Sequence, residues 1–335
     1  MDQELFQLLQ IDGDARDFDH VVIGERLKRH AGKLRVYDDY RLLPYHVTKR
    51  CERRAAELVR RRLKRAGMVH LDEKAFEKIK DLIGGVPLVG RLSEHQADEA
   101  ASKIHEEFPW LAAATENVWH SMRRTAARGE PVKLGPLLLA GPAGLGKTAW
   151  SHFVPEAIQT PIVDVDASSG AGQFALVGLE RGWSSAEAGR VVRALVQHQI
   201  GNPLVFVDEL DKSKELRSKR GRDVSFTDAL LPLLEPQSAR RWTCPYYSMI
   251  LDLTRISWIF AANDLDLVPE VLRSRIEMIR LEAPSFKLIA WFLEREAVRA
   301  GPSDAATEAA LAALEVGHAR LCRPLGLRDA KRIVR

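Results

Sequence analysis

Short apolar runs alternate with helical stretches through the middle of the chain, from residue 104 to residue 283. Each run is followed by glycine, aspartate or asparagine, and then by a stretch of helical periodicity. The runs are Pro136–Ala140, Pro161–Val165, Leu204–Val207, Ile256–Ala262 and Ile276–Leu281. Because alternating buried strands and helices are typical of a parallel sheet covered on both faces, we predict an α/β fold here.

The pattern changes on both sides of this region. On the N-terminal side, stretches of mixed apolar and polar residues predict helices at Leu5–Ile11 and Val47–Ala66. We therefore expect a mostly helical N-terminal region over 1–103, the α/β domain over 104–283 and a small helical domain over 284–335. In this last domain, apolar positions at helical spacing predict three helices, at Phe286–Val298, Asp304–Val316 and Leu327–Val334.

The helix predicted at Val47–Ala66 is strongly basic. Between Lys49 and Arg65 there are nine Lys and Arg residues against two Glu residues. Such a helix could bind nucleic acid or an acidic partner. It could equally be a solvated face whose long side chains shield an apolar stripe, and the sequence favours this second interpretation. The stripe consists of Ala55, Leu58, Val59 and Leu63.

The composition of the 335 residues is ordinary for a soluble globular protein, with 46% hydrophobic and 29% charged residues. The net charge of +4 does not by itself indicate a nucleic acid or membrane partner. No apolar run is long enough to span a bilayer, and the acidic N-terminus does not resemble a signal peptide. The scattered cysteines, Cys51, Cys244 and Cys322, predict reduced thiols in a cytoplasmic protein.

A phosphate-binding motif, G-x-x-x-x-G-K-[ST], follows the first apolar run and precedes a helical stretch. Glycines allow backbone N–H groups to wrap a phosphate, and the helix N-terminus adds a favourable dipole. A lysine supplies a positive charge to the β and γ phosphates, and a threonine hydroxyl is a ligand for Mg²⁺. The motif residues are Gly141, Pro142, Ala143, Gly144, Leu145, Gly146, Lys147 and Thr148.

A pair of acidic residues follows the apolar run Leu204–Val207. Asp208 and Glu209 lie at the carboxyl end of this predicted strand, where the crevice of an open α/β sheet lies. We expect Asp208 to hold Mg²⁺ together with Thr148, and Glu209 to polarise the attacking water as a general base. The two motifs together predict a site for ATP and Mg²⁺.

Further motifs follow in a fixed order, and with them the chain resembles the AAA+ superfamily, in particular the ATPase module of Lon proteases. The resemblance covers about Phe108–Arg335 and implies a P-loop NTPase sheet with a C-terminal helical lid. The motifs that carry it are Asn202-Pro203, Asp208–Lys212, Ala229–Pro236, Ala261–Asn263, Pro269–Ile276 and Gly326–Arg328.

The resemblance implies roles for three further residues. Asn263 matches the sensor-1 residue, which orients the lytic water or contacts the γ-phosphate. Arg275 matches the arginine finger, which reaches the nucleotide of a neighbouring subunit, although Arg273 lies close enough to compete for this role. Arg328 matches the sensor-2 arginine of the lid. A finger that acts on a neighbour implies a homo-oligomer, and the family suggests a hexameric ring.

The segment Gly178–Trp183 aligns with the pore loop that grips a translocating polypeptide in this family. Trp183 occupies the aromatic position, but Ser184 follows where the family usually has an aliphatic residue. The insertion Lys212–Asp223, which contains six Lys and Arg residues, replaces a shorter loop. It could form part of an axial surface, but a flexible solvated loop is the favoured interpretation. The Ser–Lys protease domain of Lon does not follow the module, so we expect no peptidase activity.

These features favour a ring-forming ATPase that remodels a protein substrate in the cytoplasm. An alternative is a DNA-directed AAA+ loader or switch, in which the basic helix contacts phosphates. A small-molecule P-loop kinase is a third reading, but such enzymes do not need Asn263, Arg275 and Arg328 in this order.

Overall fold

Strands and helices alternate along the middle of the chain, as its apolar pattern predicts. This computed structural model describes residues 5–11, 14–34, 43–169, 172–182, 186–213, 216–217, 223–300, 308–315 and 327–334. The strands are β1 (Leu137–Ala140), β2 (Ile162–Asp166), β3 (Leu204–Asp208), β4 (Leu216–Arg217), β5 (Asp223–Val224), β6 (Trp242–Cys244), β7 (Met249–Leu251), β8 (Ser257–Ala262) and β9 (Glu277–Arg280).

The α-helices have the following bounds. They are α1 (His20–Leu34), α2 (Tyr45–Arg65), α3 (Glu73–Ile79), α4 (Glu94–Glu107), α5 (Ala112–Ala127), α6 (Lys147–Ala157), α7 (Gly172–Val177), α8 (Arg190–His198), α9 (Phe226–Leu234), α10 (Pro236–Arg240), α11 (Glu270–Arg273), α12 (Phe286–Ala300), α13 (308–315) and α14 (Leu327–Val334).

Five strands form a parallel sheet in the order β2-β3-β8-β1-β9. β1 lies between β8 and β9, with Leu137 opposite both Ile259 and Glu277. Because all five strands run in the same direction, their carboxyl ends meet at one edge of the sheet. The predicted α/β fold is confirmed. Both the acidic motif and the phosphate-binding motif lie at this edge.

The three inner strands of the sheet, β3, β8 and β1, are buried on both faces. Alternate residues such as Leu139 and Phe206 join a core cluster with Trp150 of α6 and with α4 and α5. The intervening residues, such as Leu138 and Val205, are buried as well. Successive side chains of a strand point to opposite faces, so a strand without exposed positions must be covered on both sides.

Three helices follow the sheet, as the spacing after Pro284 predicts. α12, α13 and α14 share a small core of their own. Its buried members are Ile289, Phe292, Leu293, Leu314, Leu327 and Ala330.

The chain divides into two units, each built from separated stretches. The first contains Met1–Leu88, Val177–Gly201 and Pro236–Thr254. The second contains the sheet and the three C-terminal helices, and consists of Val89–Leu176, Asn202–Glu235 and Arg255–Arg335. The continuous domain boundaries at 103/104 and 283/284 stay predictions.

The helix predicted at Leu5–Ile11 is wrong. Phe6 instead forms two backbone hydrogen bonds with Val86, of 2.8 and 2.9 Å, and Leu9 bridges to Leu251. Both Leu8 and Leu9 are buried, which an exposed helix with one apolar stripe would not allow for adjacent residues. Tertiary pairing with distant backbone therefore overrides the local helical spacing.

The side chain of Asn202 holds the residues just before β3 in place through hydrogen bonds. Its side chain is buried, and its Oδ1 accepts a hydrogen bond of 2.9 Å from the N–H of Val89. Its Nδ2 donates to the carbonyl oxygen of Val89 at 2.9 Å and to that of Val132 at 3.3 Å. One amide thus satisfies buried backbone groups of two other segments, and it fixes the position of the strand that ends in Asp208.

We predict that Asn202→Ala destabilises the protein, because it removes hydrogen-bond partners from buried backbone groups at a cost of about 1–3 kcal/mol for each group. The free energy of unfolding in urea measures the loss. Asn117→Ala is the matched control, since Asn117 is half-buried in α5 and its side chain has no hydrogen bond among the described residues. Equal stability of the two variants would contradict this account of Asn202.

Candidate nucleotide site

The loop between β1 and α6 needs glycine at three positions. Gly144 and Gly146 have φ values of 87° and 83°, in the left-handed region that side chains disfavour. At Gly141 a Cβ atom would collide with the carbonyl oxygen of Leu281, whose N–H donates to the carbonyl of Ala140 at 2.7 Å. The loop therefore turns tightly into α6, whose first N–H groups have no partner within the helix.

Lys147 is the first residue of α6 and is buried. Its Nζ donates to the carbonyl oxygens of Gly141 and Pro142, at 2.5 and 3.0 Å, and to Oδ1 of Asn263 at 3.0 Å. Burial lowers the pKa of Lys147, and the charge of Asp208 opposes this effect. The sensor-1 candidate and the motif lysine, predicted from separate motifs, are thus in direct contact.

Thr148 and Asp208 also meet at this edge of the sheet. The Thr148 hydroxyl donates to Oδ2 of Asp208 at 3.0 Å, and Oδ1 of Asp208 accepts from the N–H of Glu209 at 2.8 Å. A hydroxyl and a carboxylate oxygen are ligands that suit Mg²⁺. The donor set therefore fits the predicted metal, with both oxygens beside the loop that would hold the phosphates.

Glu209 has left-handed backbone geometry, with φ 55°. Its carboxylate forms an ion pair with Lys212, one turn further along the 3-10 helix Leu210–Lys212. The hydrogen bond from Lys212 is the largest cause that lowers the pKa of Glu209, and a hydrogen bond from Ser168 adds to it. Glu209 is therefore an ionised acceptor beside the Thr148–Asp208 pair, as a residue that activates water must be.

A cavity of about 620 Å³ extends from the glycine loop to the C-terminal helices. It is lined on one side by the loop and by Asp208, Glu209 and Asn263. The other side includes Phe292, Arg295 and the exposed Arg328. The sensor-2 candidate thus lies across the same cavity from the motif lysine, whose pKa its charge also lowers.

Sequence reasoning missed Trp110 and Arg295. The Trp110 indole N–H donates to the carbonyl oxygen of Leu145, at 2.8 Å, and its ring packs edge-on against Phe292 at 5.4 Å between centroids. The Arg295 guanidinium lies over the rings of Trp110 and Phe292, and donates to the carbonyl oxygen of Glu107 at 2.7 Å. The closely spaced aromatic residues Phe108 and Trp110 were the available signal.

Arg275 is not brought into this cavity, and neither is Arg273, among the residues described. The Arg275 Nη1 donates to the carbonyl oxygen of Val271 at 3.0 Å, and its Nη2 lies 3.8 Å from the Glu235 carboxylate. Arg275 is exposed, whereas the Nε of the half-buried Arg273 is buried without a hydrogen bond in the described part of the chain. The two candidates for the finger are therefore in different environments.

Some sequence predictions fall outside the described residues. Trp183 and Ser184 of the predicted pore loop, and Gly326 beside Arg328, are among them. Of the insertion Lys212–Asp223, the structure describes both ends and the antiparallel pairing of β4 with β5. In the described ranges no helix has the length and apolarity needed to cross a bilayer.

Comparisons with known proteins agree with this geometry. Residues 137–282 match the family described as ATPase family associated with various cellular activities (AAA). The Lon protease of Campylobacter concisus is 34% identical over 156 residues, which are 46% of this chain and 19% of that protein. The Lon protease of Helicobacter pylori strain J99 is 31% identical over 205 residues, which are 58% of this chain and 24% of that protein.

This chain therefore spans a fifth to a quarter of the length of these relatives. A solved RuvB mutant from Thermotoga maritima aligns with a TM-score of 0.43 and 21% identity, over 66% of this chain and 60% of that one. The predicted resemblance is confirmed: residues 137–282 match the AAA family, and this chain is similar to parts of Lon proteases over 156 and 205 residues.

Proposed function

We propose that this protein binds ATP with Mg²⁺, hydrolyses it, and acts as a ring of several copies that remodels a protein substrate. The observation that carries the proposal is the convergence of Lys147, Asn263, Thr148 and Asp208 at one edge of the sheet. The lysine there would bind phosphate, the amide would contact water or phosphate, and the hydroxyl and the carboxylate would both bind the metal.

Phosphate binding would use groups that are already in place. Lys147 contacts the backbone carbonyls of its own loop, and phosphate oxygens would replace these weaker partners with charged ones. The N–H groups at the start of α6 would donate to the same phosphates. Because the lysine is buried and held from two sides, little side-chain entropy remains to be lost on binding.

Thr148 and Asp208 would hold Mg²⁺, which supplies charge neutralisation to the phosphates when bound. Glu209 would then accept a proton from the attacking water, and Asn263 would orient that water or contact the terminal phosphate. In the structure Lys212 holds the Glu209 carboxylate. Hydrolysis therefore requires Glu209 to exchange this ion pair for a contact with water.

The position of Arg275 supports assembly into a ring. Its guanidinium lies outside the cavity of its own chain, on an exposed turn with the apolar residues Leu267 and Val271, which are 63% and 40% exposed. Such a surface is suited to contact with a second copy, whose nucleotide Arg275 would reach. The family resemblance suggests six copies.

The base of the predicted pore loop supports a role in gripping a polypeptide. Gly178 bridges to Ala188, and the N–H of Leu179 donates to the carbonyl of Glu187 at 3.0 Å, so the described ends of the loop are held together. Arg181 lies over the Tyr246 ring at 4.8 Å and 3.6 Å from the Asp72 carboxylate. A loop whose base is held in this way would keep Trp183 in position while the residue contacts a substrate.

We predict that Lys147→Ala weakens ATP binding about 100-fold or more, because at least two charge-assisted hydrogen bonds to phosphate are lost.

Glu209→Gln should bind ATP as the parent does but hydrolyse it about 10²- to 10⁴-fold more slowly, because general-base catalysis is removed. Calorimetric titration and phosphate release measure the two effects. Lys103→Ala, a change at an exposed lysine of α4, is the control for binding. Normal turnover by Glu209→Gln would contradict the assigned role.

We predict that Arg275→Ala binds ATP normally but loses hydrolysis by about 10³-fold or more, since a finger stabilises charge in the transition state. Mixing Arg275→Ala with Lys147→Ala subunits should restore part of the activity, because an intact nucleotide site that adjoins a Lys147→Ala subunit then receives Arg275 from it. Arg273→Ala should retain hydrolysis. Inactive mixtures, or loss of hydrolysis with Arg273→Ala instead, would refute this assignment.

We predict that Trp183→Ala abolishes remodelling and substrate-stimulated hydrolysis, and that basal hydrolysis persists. A fluorescent protein with an unstructured tail reports unfolding, and Glu209→Gln should capture cellular targets because it holds ATP without turnover. Tyr45→Ala is the control for removal of an aromatic side chain that is 76% exposed. Unfolding by Trp183→Ala at the parent's rate would rule out gripping by this residue.

A further inference from the structure

Helix α2 concentrates the positive charge of the protein. Its 21 residues include nine Lys and Arg residues and two Glu residues, a formal charge of +7. The whole chain has a formal charge of only +4, so the remainder is net acidic. A local field of one sign on an otherwise acidic protein can steer a partner of opposite charge to one place.

The apolar side of α2 is already covered. Val47 and Ala55 are buried, and a Cβ atom at Gly24 of α1 would lie 3.8 Å from that of Ala55, so the two helices pack closely. Arg62, which lies on this side, donates to the backbone carbonyl of Asp17 at 2.6 Å. Of the apolar stripe predicted from the sequence, Ala55 is buried and the other three members are half-buried, whereas the cations on the opposite side are exposed.

The exposed cations of α2 fall into two groups. Lys49, Arg54 and Arg61 form ion pairs with the two glutamates of the helix. A second group is exposed and has no ion-pair partner among the described residues. Its members are Arg50, Arg53, Arg60, Lys64 and Arg65.

The unpaired group forms a row along the helix. At 100° per residue, Arg50, Arg53, Arg60 and Lys64 lie within an arc of about 80°, and a rise of 1.5 Å per residue spreads them over about 21 Å. We call these four residues the basic row. The two glutamates of α2 form ion pairs with other cations of the helix. The charges of the basic row are therefore available to an external ligand.

The side chains of α2 decide between a membrane, a protein and a nucleic acid as the ligand. A membrane-surface helix inserts its apolar side into the bilayer, and in α2 that side packs within the protein, with Val47 and Ala55 buried. A protein partner would need an apolar centre to the interface, and the helix arc of the basic row contains only its four cations and the exposed His46 and Glu57. A phosphodiester backbone requires only a line of cations, and arginine binds phosphate oxygens with two parallel hydrogen bonds.

We propose that the basic row of α2 binds the phosphate backbone of nucleic acid without regard to base sequence. The inference does not depend on ATP hydrolysis or on protein remodelling. The four cations of the basic row would contact up to four phosphates, so the logarithm of the affinity should fall with the logarithm of salt concentration at a slope of up to about −3.6 for duplex DNA.

The test measures fluorescence anisotropy of labelled duplex DNA, single-stranded DNA and duplex RNA with the full chain at several salt concentrations. The variant R50Q/R53Q/R60Q/K64Q should bind about 100-fold more weakly and reduce the slope by about one for each cation that contacts phosphate. The control R128Q/K74Q/K78Q/K103Q removes the same charge from exposed positions without ion-pair partners in the described chain, and should bind like the parent.

Three outcomes would overturn the proposal: no binding by the parent at low salt, equal weakening by the two variants, or equal affinity of the parent for an acidic polyglutamate peptide. The relative affinities of the three nucleic acids identify DNA or RNA as the source of the phosphates. Thermal unfolding shows whether the variants fold. Retention of basal ATP hydrolysis by R50Q/R53Q/R60Q/K64Q separates failure of this proposal from failure of the proposed function.

Discussion

The buried ammonium group of Lys147 joins the parts of the second unit that the site requires. It bonds to carbonyl oxygens of the loop after β1 and to the Asn263 amide at the end of β8. A buried cation without such partners would be unstable, and burial already lowers its pKa. The order of the sheet meets this demand, because β1 and β8 are neighbours and their carboxyl ends coincide.

The same constraint explains how widely separated motifs form one site. Asp208 ends β3, the strand on the other side of β8, and its carboxylate reaches the Thr148 hydroxyl. Asn202, at the opposite end of β3, holds the entry of that strand with three hydrogen bonds to buried backbone groups. The acid at one end of β3 therefore depends on an amide at the other for its position.

The sequence was sufficient for the sheet and for the contacts around Lys147 and Asp208, because each of these motifs is local and each strand is a continuous apolar run. It failed where no motif marks the partner. Phe6 pairs with Val86 and Leu9 pairs with Leu251. No feature of the segment Leu5–Ile11 itself indicates those partners. The bond between Trp110 and Leu145 was missed for the same reason. The role of Arg275 concerns a second molecule, which one sequence does not describe.

The close approach between Gly141 and Leu281 limits how the C-terminal helices can move. Leu281 is hydrogen-bonded to Ala140 and its carbonyl fills the space where Gly141 lacks a side chain, so the chain is clamped to the phosphate loop as far as this residue. α12 begins at Phe286. Any pivot between the sheet and the helices that carry Arg328 is thus confined to Glu282–Ser285, and Pro284 stiffens the middle of that hinge.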